Sequence, residues 1–149
     1  MGNKATLGEL KLTDIRPRGW MLEQMRRDIG GFAGNLHRLC KEASSGIYSR
    51  QGRISGSHIR AWWDGETEGN WIDGLTRMAY LADDAESIRF IESYFKDVLR
   101  EADEDGYIGI YRPEWRFRND GQNGELWTLS RRLLAMIAYW EATSDKEVW

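Results

Sequence analysis

Three closely spaced carboxylates are the first candidates for chemistry in this sequence. Asp64, Glu66 and Glu68 lie between Trp63 and Trp71, and glycosidases need two carboxyl groups, one of which has a raised pKa and donates a proton. Side chains two residues apart do not face each other on a helix, and acidic residues are favoured in a first helical turn. We therefore favour capping and solvation for each carboxylate, then contact with a sugar hydroxyl, then acid catalysis.

Two basic side chains within an apolar segment indicate a polar site beside that segment. Arg131 and Arg132 interrupt a stretch that is otherwise apolar on most sides, and a buried arginine normally needs a partner. We expect one of them to face a polar cavity or to pair with a loop carboxylate such as Glu68.

Candidates for metal ligands are sparse. His37 and Cys40 are three residues apart, but a structural zinc takes four ligands, so we expect no metal in this chain. The segment from Glu101 imitates a calcium-binding loop, yet Arg112 stands at the place where a bidentate Glu is required. Asp105-Gly106 is better interpreted as a turn that reverses the chain.

The composition excludes several classes of partner. The chain has 149 residues and a net charge of −3, a size that fits one domain, and its interspersed charges leave no basic face for nucleic acid. It contains no apolar run long enough to span a bilayer and no signal-peptide core. The single cysteine is compatible with a reducing compartment, so we expect a cytoplasmic protein that binds neither nucleic acid nor membrane.

The apolar periodicity predicts a mainly α-helical fold. We place four helices, the first starting at Pro17, near residues 17–30, 67–82, 85–102 and 125–143. A loose alternation of apolar residues over 10–15 predicts a short strand before them.

The joins between the predicted helices are short and long in turn. Two residues join the second helix to the third, whereas residues 30–66 and 103–124 form long segments before the second and fourth helices. Antiparallel helices bring both long joins to one end of the molecule, and long loops in compact domains are usually functional. We therefore expect a functional rim that carries residues 62–71 and 105–127.

The last residues predict the start of a further helix. Ser144 to Glu147 have the S-x-x-E spacing of a capping box, and apolar Val148 and Trp149 follow. Because so short a helix is marginal in water, we expect the sequence to be a truncated part of a longer protein.

Three segments in order resemble the N-terminal part of glycoside hydrolase family 127, the β-L-arabinofuranosidase group. They are IRPRGWMLEQMRRDIGGFAGNL (15–36), WWDGETEGNWIDGLTRMAYL (62–81), and DGYIGIY (105–111) with GELWTLSRRLLAMIAYWEATSDKEVW (124–149). The first is similar to the family's Pro-Gly-Trp helix, and the second to an inner helix that ends in Ala-Tyr-Leu. The third is similar to its Asp-Gly-Tyr-x-Gly loop and the helix that follows.

The resemblance implies the first part of an (α/α)6 toroid over residues 17–149, with residues 1–16 as a strand or linker of a β-sandwich. It implies a retaining glycoside hydrolase whose zinc-bound cysteine nucleophile and glutamate acid/base lie downstream. This chain would then hold no catalytic residue and no cofactor of its own, and zinc would belong to the full-length protein.

The same resemblance assigns one wall of the cleft for an oligosaccharide substrate to this chain. The implied substrate-binding residues are Trp63, Glu68, Asn70, Trp71, Glu125, Trp127 and Arg131. The family often carries a His near the place of Arg131, where it contacts sugar, so the sugar specificity stays open.

Two other functions fit the same sequence. A self-standing helical module could bind carbohydrate through a tryptophan-rich rim without turnover, and a non-catalytic domain could meet a protein partner through exposed apolar faces. Since large exposed apolar patches promote association, self-association is expected from a fragment and from an interaction domain alike.

Overall fold

A computed structural model of the chain describes residues 8, 10–56, 62–118 and 124–148. Its α-helices are α1 (Trp20–Gly30), α2 (Phe32–Leu39), α3 (Trp62–Ala82), α4 (Ala85–Glu101) and α5 (Glu125–Thr143). The mainly helical fold predicted from the sequence is confirmed. None of these described helices is both long enough and apolar enough to cross a membrane.

The main core lies where α3, α4 and α5 pack together. Its largest buried members are Trp71, Ile72, Leu75, Ile91, Phe95, Met136 and Tyr139. A smaller apolar cluster within the two long loops is formed by Ile47, Tyr48, Ile110 and Tyr111. The loops are tied to each other by a parallel bridge between Ile54 and Tyr111.

Helix α3 is the main departure from the predicted helices, because it begins at Trp62 rather than near Thr67. Residues 62–66 are therefore helical, and assigning them to the long join was wrong. The reason is long-range: a Cβ atom added to Gly69 would lie 2.8 Å from the Cβ of Arg131 on α5. Gly65 similarly meets Thr128, so glycine at both places lets the two helices approach closely.

Helices α3 and α5 run in the same direction. Trp62 lies against Gly124 just before α5, and Gly69, two turns further along α3, lies against Arg131. Helix α4 runs in the opposite direction after the predicted two-residue join, in which Asp84 caps the helix with its side chain. The starts of α3 and α5 therefore lie at one end, as the alternation of short and long joins predicts.

The strand predicted over residues 10–15 is wrong. Leu12–Asp14 form a 3-10 turn in which Asp14 N donates to Lys11 O at 2.9 Å and Lys11 N donates to Asp14 Oδ2 at 3.0 Å. These local hydrogen bonds compete with pairing to a sheet, and the turn buries Leu12 against α3 and α5. Residues 1–7 and 9 of the predicted N-terminal segment lie outside the described residues.

The prediction that Ser144 opens a helix is also wrong over the residues that the structure describes. Ser144 closes α5 instead, because its backbone is left-handed with φ of 57° and its N–H donates to Trp140 O at 2.7 Å. Asp145 then accepts a hydrogen bond from Glu147 N at 3.0 Å and forms a local turn. Trp149 lies outside the described residues.

The N-terminal helices also differ from the prediction. Helix α1 begins at Trp20 rather than at Pro17, because Gly19 takes a positive φ of 59° immediately before it. It ends at Gly30 as predicted, but the unpredicted helix α2 follows after a single residue. A Cβ atom at Gly34 would lie 2.0 Å from Ile29 O, so this sharp junction between α1 and α2 depends on glycine.

Candidate functional site

The starts of α3 and α5, together with residues 102–118, form one surface that we call the rim. Trp62 lies against Gly124 and contacts Trp63 edge-on, with 6.2 Å between the ring centroids. Trp63 and Trp127 remain 48% and 45% exposed. The rim therefore presents partly exposed indoles next to a loop, although residues 119–123 of the predicted loop lie outside the described residues.

Glu125 fixes the loop to the start of α5. Its carboxylate accepts a hydrogen bond from Tyr107 Oη at 2.8 Å and another from Phe117 N at 2.6 Å. Glu125 is almost fully buried and lies in the first turn of the helix, where a negative charge is favourable. Phe117 is held with a left-handed φ of 56° while its side chain stays exposed.

A cluster of charges around Asp103 joins the two long loops. Arg53 Nη1 lies 2.5 Å from Asp103 Oδ2, Arg50 Nε lies 3.5 Å from Oδ1, and Arg116 Nη2 also contacts Oδ2. The hydrogen bond from Arg53, together with a further one from Arg116, lowers the pKa of Asp103 from the usual 3.8 to about 2. Arg116 also lies over the Tyr107 ring, with 3.7 Å from Cζ to the ring centroid.

A second polar cluster lines a cavity of about 170 Å³, which we call the Arg132 cavity. It opens between the loop of residues 46–49 and helices α3, α4 and α5. Tyr94 Oη donates a hydrogen bond to Glu68 Oε1 at 2.7 Å. The guanidinium carbon of Arg132 lies 3.9 Å from the centroid of the Tyr48 ring, a cation–π contact.

Glu68 and Arg132 in this cavity are not paired by a direct contact as the charged groups around Asp103 are. Glu68 is 6% exposed and Arg132 is 4% exposed. Burial raises the pKa of Glu68, while the charge of Arg132 acts in the opposite direction. Nε and Nη1 of Arg132 find no hydrogen-bond partner in the part of the chain that the structure describes. The cavity therefore offers unused donors close to a buried carboxyl group.

The two neighbouring arginines of α5 have different surroundings. Arg132 faces the polar cavity that Glu68 also lines, which confirms the expectation for one of the two. Arg131 is half-buried and lies over the Trp127 ring, with 4.4 Å from Cζ to the ring centroid.

The predicted site residues are divided between interior and surface. Trp71 belongs to the main core, where its Nε1 donates to Ala33 O at 2.6 Å, and Glu125 stabilises the loop. Glu68 lines the Arg132 cavity. These three are buried, and they contact different neighbours.

The other four predicted residues lie at or near the surface. Trp127 and Arg131 contact each other, as described above, and Asn70 is exposed on α3. Trp63 lines a separate depression with Lys41 and Asp64. Trp63 and Glu68 thus line different cavities, and the seven residues are not gathered around one.

Two aromatic members of the Arg132 cavity, Tyr48 and Tyr94, were not predicted from the sequence. Tyr48 lies in the first long loop, where its Oη is 2.9 Å from Gly65 O and 3.0 Å from Thr128 O, so it joins α3 to α5. Tyr94 lies beside Phe95 of the apolar stripe of α4. The available signal was weak: a tyrosine next to a core position can place its hydroxyl on a buried polar group.

The candidate metal ligands have other contacts. His37 stacks on Trp71 and Phe90, with centroid distances of 5.7 and 5.1 Å, and the Cys40 thiol donates to Glu42 Oε2 at 3.1 Å. Over residues 10–56, 62–118 and 124–148, no three His, Cys, Asp or Glu side chains are grouped so that they could hold a metal ion. The Asp105-Gly106 turn forms as predicted, with Gly106 N donating to Asp103 O at 2.8 Å.

The chain was compared with protein-family models, with curated proteins and with solved structures, and no match was found in any of the three comparisons.

Proposed function

We propose that this chain forms one wall of the carbohydrate-binding cleft of a helical glycoside hydrolase related to the β-L-arabinofuranosidases, with the catalytic residues supplied downstream. The observation that carries the proposal is the rim, where two parallel helices begin side by side and present the partly exposed Trp63 and Trp127. An indole offers a large apolar face and one donor, and such a combination suits the apolar face and hydroxyl edge of a sugar.

The surroundings of Trp127 support a role as a platform for a sugar ring. The Arg131 guanidinium lies over the indole at 4.4 Å from its centroid, and a cation–π contact of this kind restrains an aromatic ring at the surface. A restrained ring loses less conformational entropy when a ligand stacks on it. Trp127 is therefore better prepared for binding than an isolated exposed tryptophan such as Trp20, which is 76% exposed.

The loop beside α5 supports the same proposal. Phe117 has a left-handed backbone, which costs energy for a residue with a side chain, and Glu125 holds it there through the Phe117 N–H. Strained conformations of this kind cluster at ligand-binding sites. Phe117 is a third exposed aromatic side chain of the rim, beside Trp63 and Trp127.

The helix order supports the proposed (α/α)6 toroid. Helices α3, α4 and α5 alternate in direction, with a two-residue turn away from the rim and a long loop at it. Repetition of this unit in a longer protein would bring further helix starts and loops to the same rim. The zinc-bound cysteine and the glutamate acid/base of such an enzyme would then come from outside these 149 residues.

Titration of the chain with an arabinofuranose-containing oligosaccharide, followed by tryptophan fluorescence, tests this proposal. We expect quenching with a dissociation constant on the order of 1 mM, because one wall supplies only part of the contacts of a cleft. Trp127→Ala should weaken binding about tenfold, which corresponds to roughly 1.4 kcal/mol. Trp20→Ala removes a surface tryptophan from α1 and is the matched control, which should bind like the parent.

Two results would contradict the proposal. Undetectable binding, or equal binding by Trp127→Ala and Trp20→Ala, would exclude a sugar platform at Trp127. Hydrolysis of the oligosaccharide by the chain alone would contradict the assignment of the catalytic residues to other parts of the protein.

A second function, association between copies of the chain, is favoured by one specific feature. An apolar groove of about 300 Å³ runs along α5 between Leu133, Ile137 and Trp140 and is completed by Val148. Leu133 and Ile137 are 47% and 43% exposed, and exposed apolar patches promote association. Ile137→Lys should then abolish any concentration-dependent dimer seen by sedimentation velocity, whereas Leu39→Lys at the exposed end of α2 should leave it unchanged.

A further inference from the structure

We propose that the Arg132 cavity is a binding site for a single small neutral ligand with neighbouring hydroxyl groups, such as one monosaccharide or a short polyol. The residues that line it include Tyr48, Ser49, Glu68, Tyr94, Glu101 and Arg132. It is separate from the Trp127 platform, so the inference does not depend on the carbohydrate function proposed for the rim.

The burial of Arg132 carries an energetic cost. Removing an arginine from water is costly unless its charge is paired and its N–H groups are hydrogen-bonded. Arg132 is 4% exposed, and its Nε and Nη1 have no partner in the part of the chain that the structure describes. Unsatisfied buried groups are rare and usually indicate a water, an ion or a function, so an acceptor is expected to occupy the cavity.

The contacts that Arg132 does make leave these donors free. Its guanidinium lies over Tyr48 at 3.9 Å and near Tyr94 at 5.6 Å from the ring centroids. These are contacts between a positive charge and aromatic rings, and a ring supplies no oxygen or nitrogen acceptor for the N–H groups. The rings therefore stabilise the charge and orient the group without supplying the acceptors that its N–H groups require.

The surrounding charges determine the class of ligand. Glu68, Asp97 and Glu101 line the cavity together with Arg132, so an anion would meet three acidic side chains and one basic one. A hydroxyl group both accepts and donates hydrogen bonds. Two neighbouring hydroxyls could accept from Arg132 and donate to the Glu68 carboxylate, and this arrangement satisfies both groups with a neutral molecule.

The position and size of the cavity limit the ligand further. Its volume of about 170 Å³ corresponds to about five or six water molecules at ~30 Å³ each, which is room for one sugar ring. Tyr94 is already hydrogen-bonded to Glu68, so the carboxyl group is held in place before a ligand arrives.

Isothermal titration calorimetry of the 149-residue chain with L-arabinose, glycerol and sodium acetate as separate probes tests the inference. We expect L-arabinose or glycerol, but not acetate, to bind with a dissociation constant below about 50 mM. Arg132→Lys should weaken this binding at least about tenfold, because a lysine cannot reproduce the directed donors of a guanidinium. Tyr94→Phe, which removes only one hydroxyl, should weaken it about threefold or more.

The control is Trp20→Ala, which alters the exposed surface of α1 and should bind L-arabinose and glycerol like the parent. The two proposals fail independently, since Arg132→Lys and Tyr94→Phe alter the Arg132 cavity whereas Trp127→Ala alters the rim. The inference is overturned if neither neutral probe binds, if acetate binds instead, or if neither Arg132→Lys nor Tyr94→Phe affects binding. Thermal unfolding of both variants should first show a folded chain, and Tyr94→Phe alone decides the question if Arg132→Lys does not fold.

Discussion

Two buried arginines, Arg53 and Arg132, are each 4% exposed and yet have opposite surroundings. Arg53 lies among acceptors: Asp103 Oδ2 at 2.5 Å, Glu101 O at 3.0 Å and Tyr107 O at 3.3 Å. Arg132 lies close to the Tyr48 and Tyr94 rings and has no partner for two of its nitrogen atoms among the described residues. The same residue type at the same burial thus stabilises the fold in one region and leaves binding capacity unused in the other.

The difference follows from what each arginine connects. Arg53 holds the first long loop to the second through Asp103, and only its Nε is left without a partner in the described structure. Arg132 belongs to a helix that α3 already holds through the contact at Gly69. Its charge is therefore not required to join the elements around it, and the comparison predicts different responses to substitution.

The largest expected effect is the loss of Arg53. Arg53→Met should lower the free energy of unfolding by about 3 kcal/mol, the lower end for a broken buried ion pair, because Arg50 and Arg116 still contact Asp103. Urea denaturation would measure it. Arg50→Met is the matched control. Arg50 contacts the same carboxylate, but its side chain is 54% exposed, and exposed ion pairs contribute about 1 kcal/mol or less. Equal losses from both variants would refute the structural role of Arg53.

A smaller effect is expected from the contact between α3 and α5. Gly69→Ala places a Cβ 2.8 Å from that of Arg131, so the helices must separate at a cost of about 1–3 kcal/mol. The matched control is Gly74→Ala on the same helix, where a Cβ meets nothing within 4 Å. That change should raise stability by about 0.5–1 kcal/mol, the advantage of alanine over glycine in a helix. Two stabilising or two destabilising results would refute the close approach at Gly69.

The two regions should also differ in the sign of their pH dependence. The folded pKa of Asp103 lies near 2, below the usual 3.8, so its contribution is present above about pH 4 and is lost as pH falls towards 2. Its side chain is 23% exposed, so solvent screening limits the contribution to roughly 1 kcal/mol. Asp103→Asn should therefore destabilise the chain at pH 6 more than at pH 2.5 in thermal unfolding.

Glu68 should behave in the opposite way. Burial raises its folded pKa above the usual 4.5, so the fold loses stability as pH rises from that value and the carboxyl group ionises. Glu68→Gln should consequently gain stability relative to the parent between pH 4.5 and pH 8. A pH-independent difference between these two chains would show that the Glu68 carboxyl group is not shifted.

The helices could be predicted from sequence because their core positions recur within the helix itself. In α4, Ile91, Phe95 and Val98 form a regular stripe, and all three are buried. The start of α3 could not be predicted in this way. Gly65 favours a loop locally, and only the neighbouring α5 shows why glycine is needed there inside a helix.

The candidate site was predictable only in part for a similar reason. An arginine in an apolar helix indicates a polar partner wherever it occurs, and Arg132 does line a cavity with Glu68. The hydroxyl that contacts Glu68 comes from Tyr94, 26 residues away, and no local pattern links the two. Glu125 and Trp71 were assigned to a sugar cleft, whereas burial gives them contacts with the loop and the core.

The most direct test of the difference between Arg53 and Arg132 is the free energy of unfolding of the double variant Arg132→Met/Glu68→Gln. The double substitution removes both buried charges, so neither is left unpaired, and such replacements are often neutral or stabilising when the charges do not hold the fold together. We expect a free energy of unfolding within about 1 kcal/mol of the parent, or above it. A loss of about 3 kcal/mol or more, equal to that of Arg53→Met, would show that Arg132 is a structural residue.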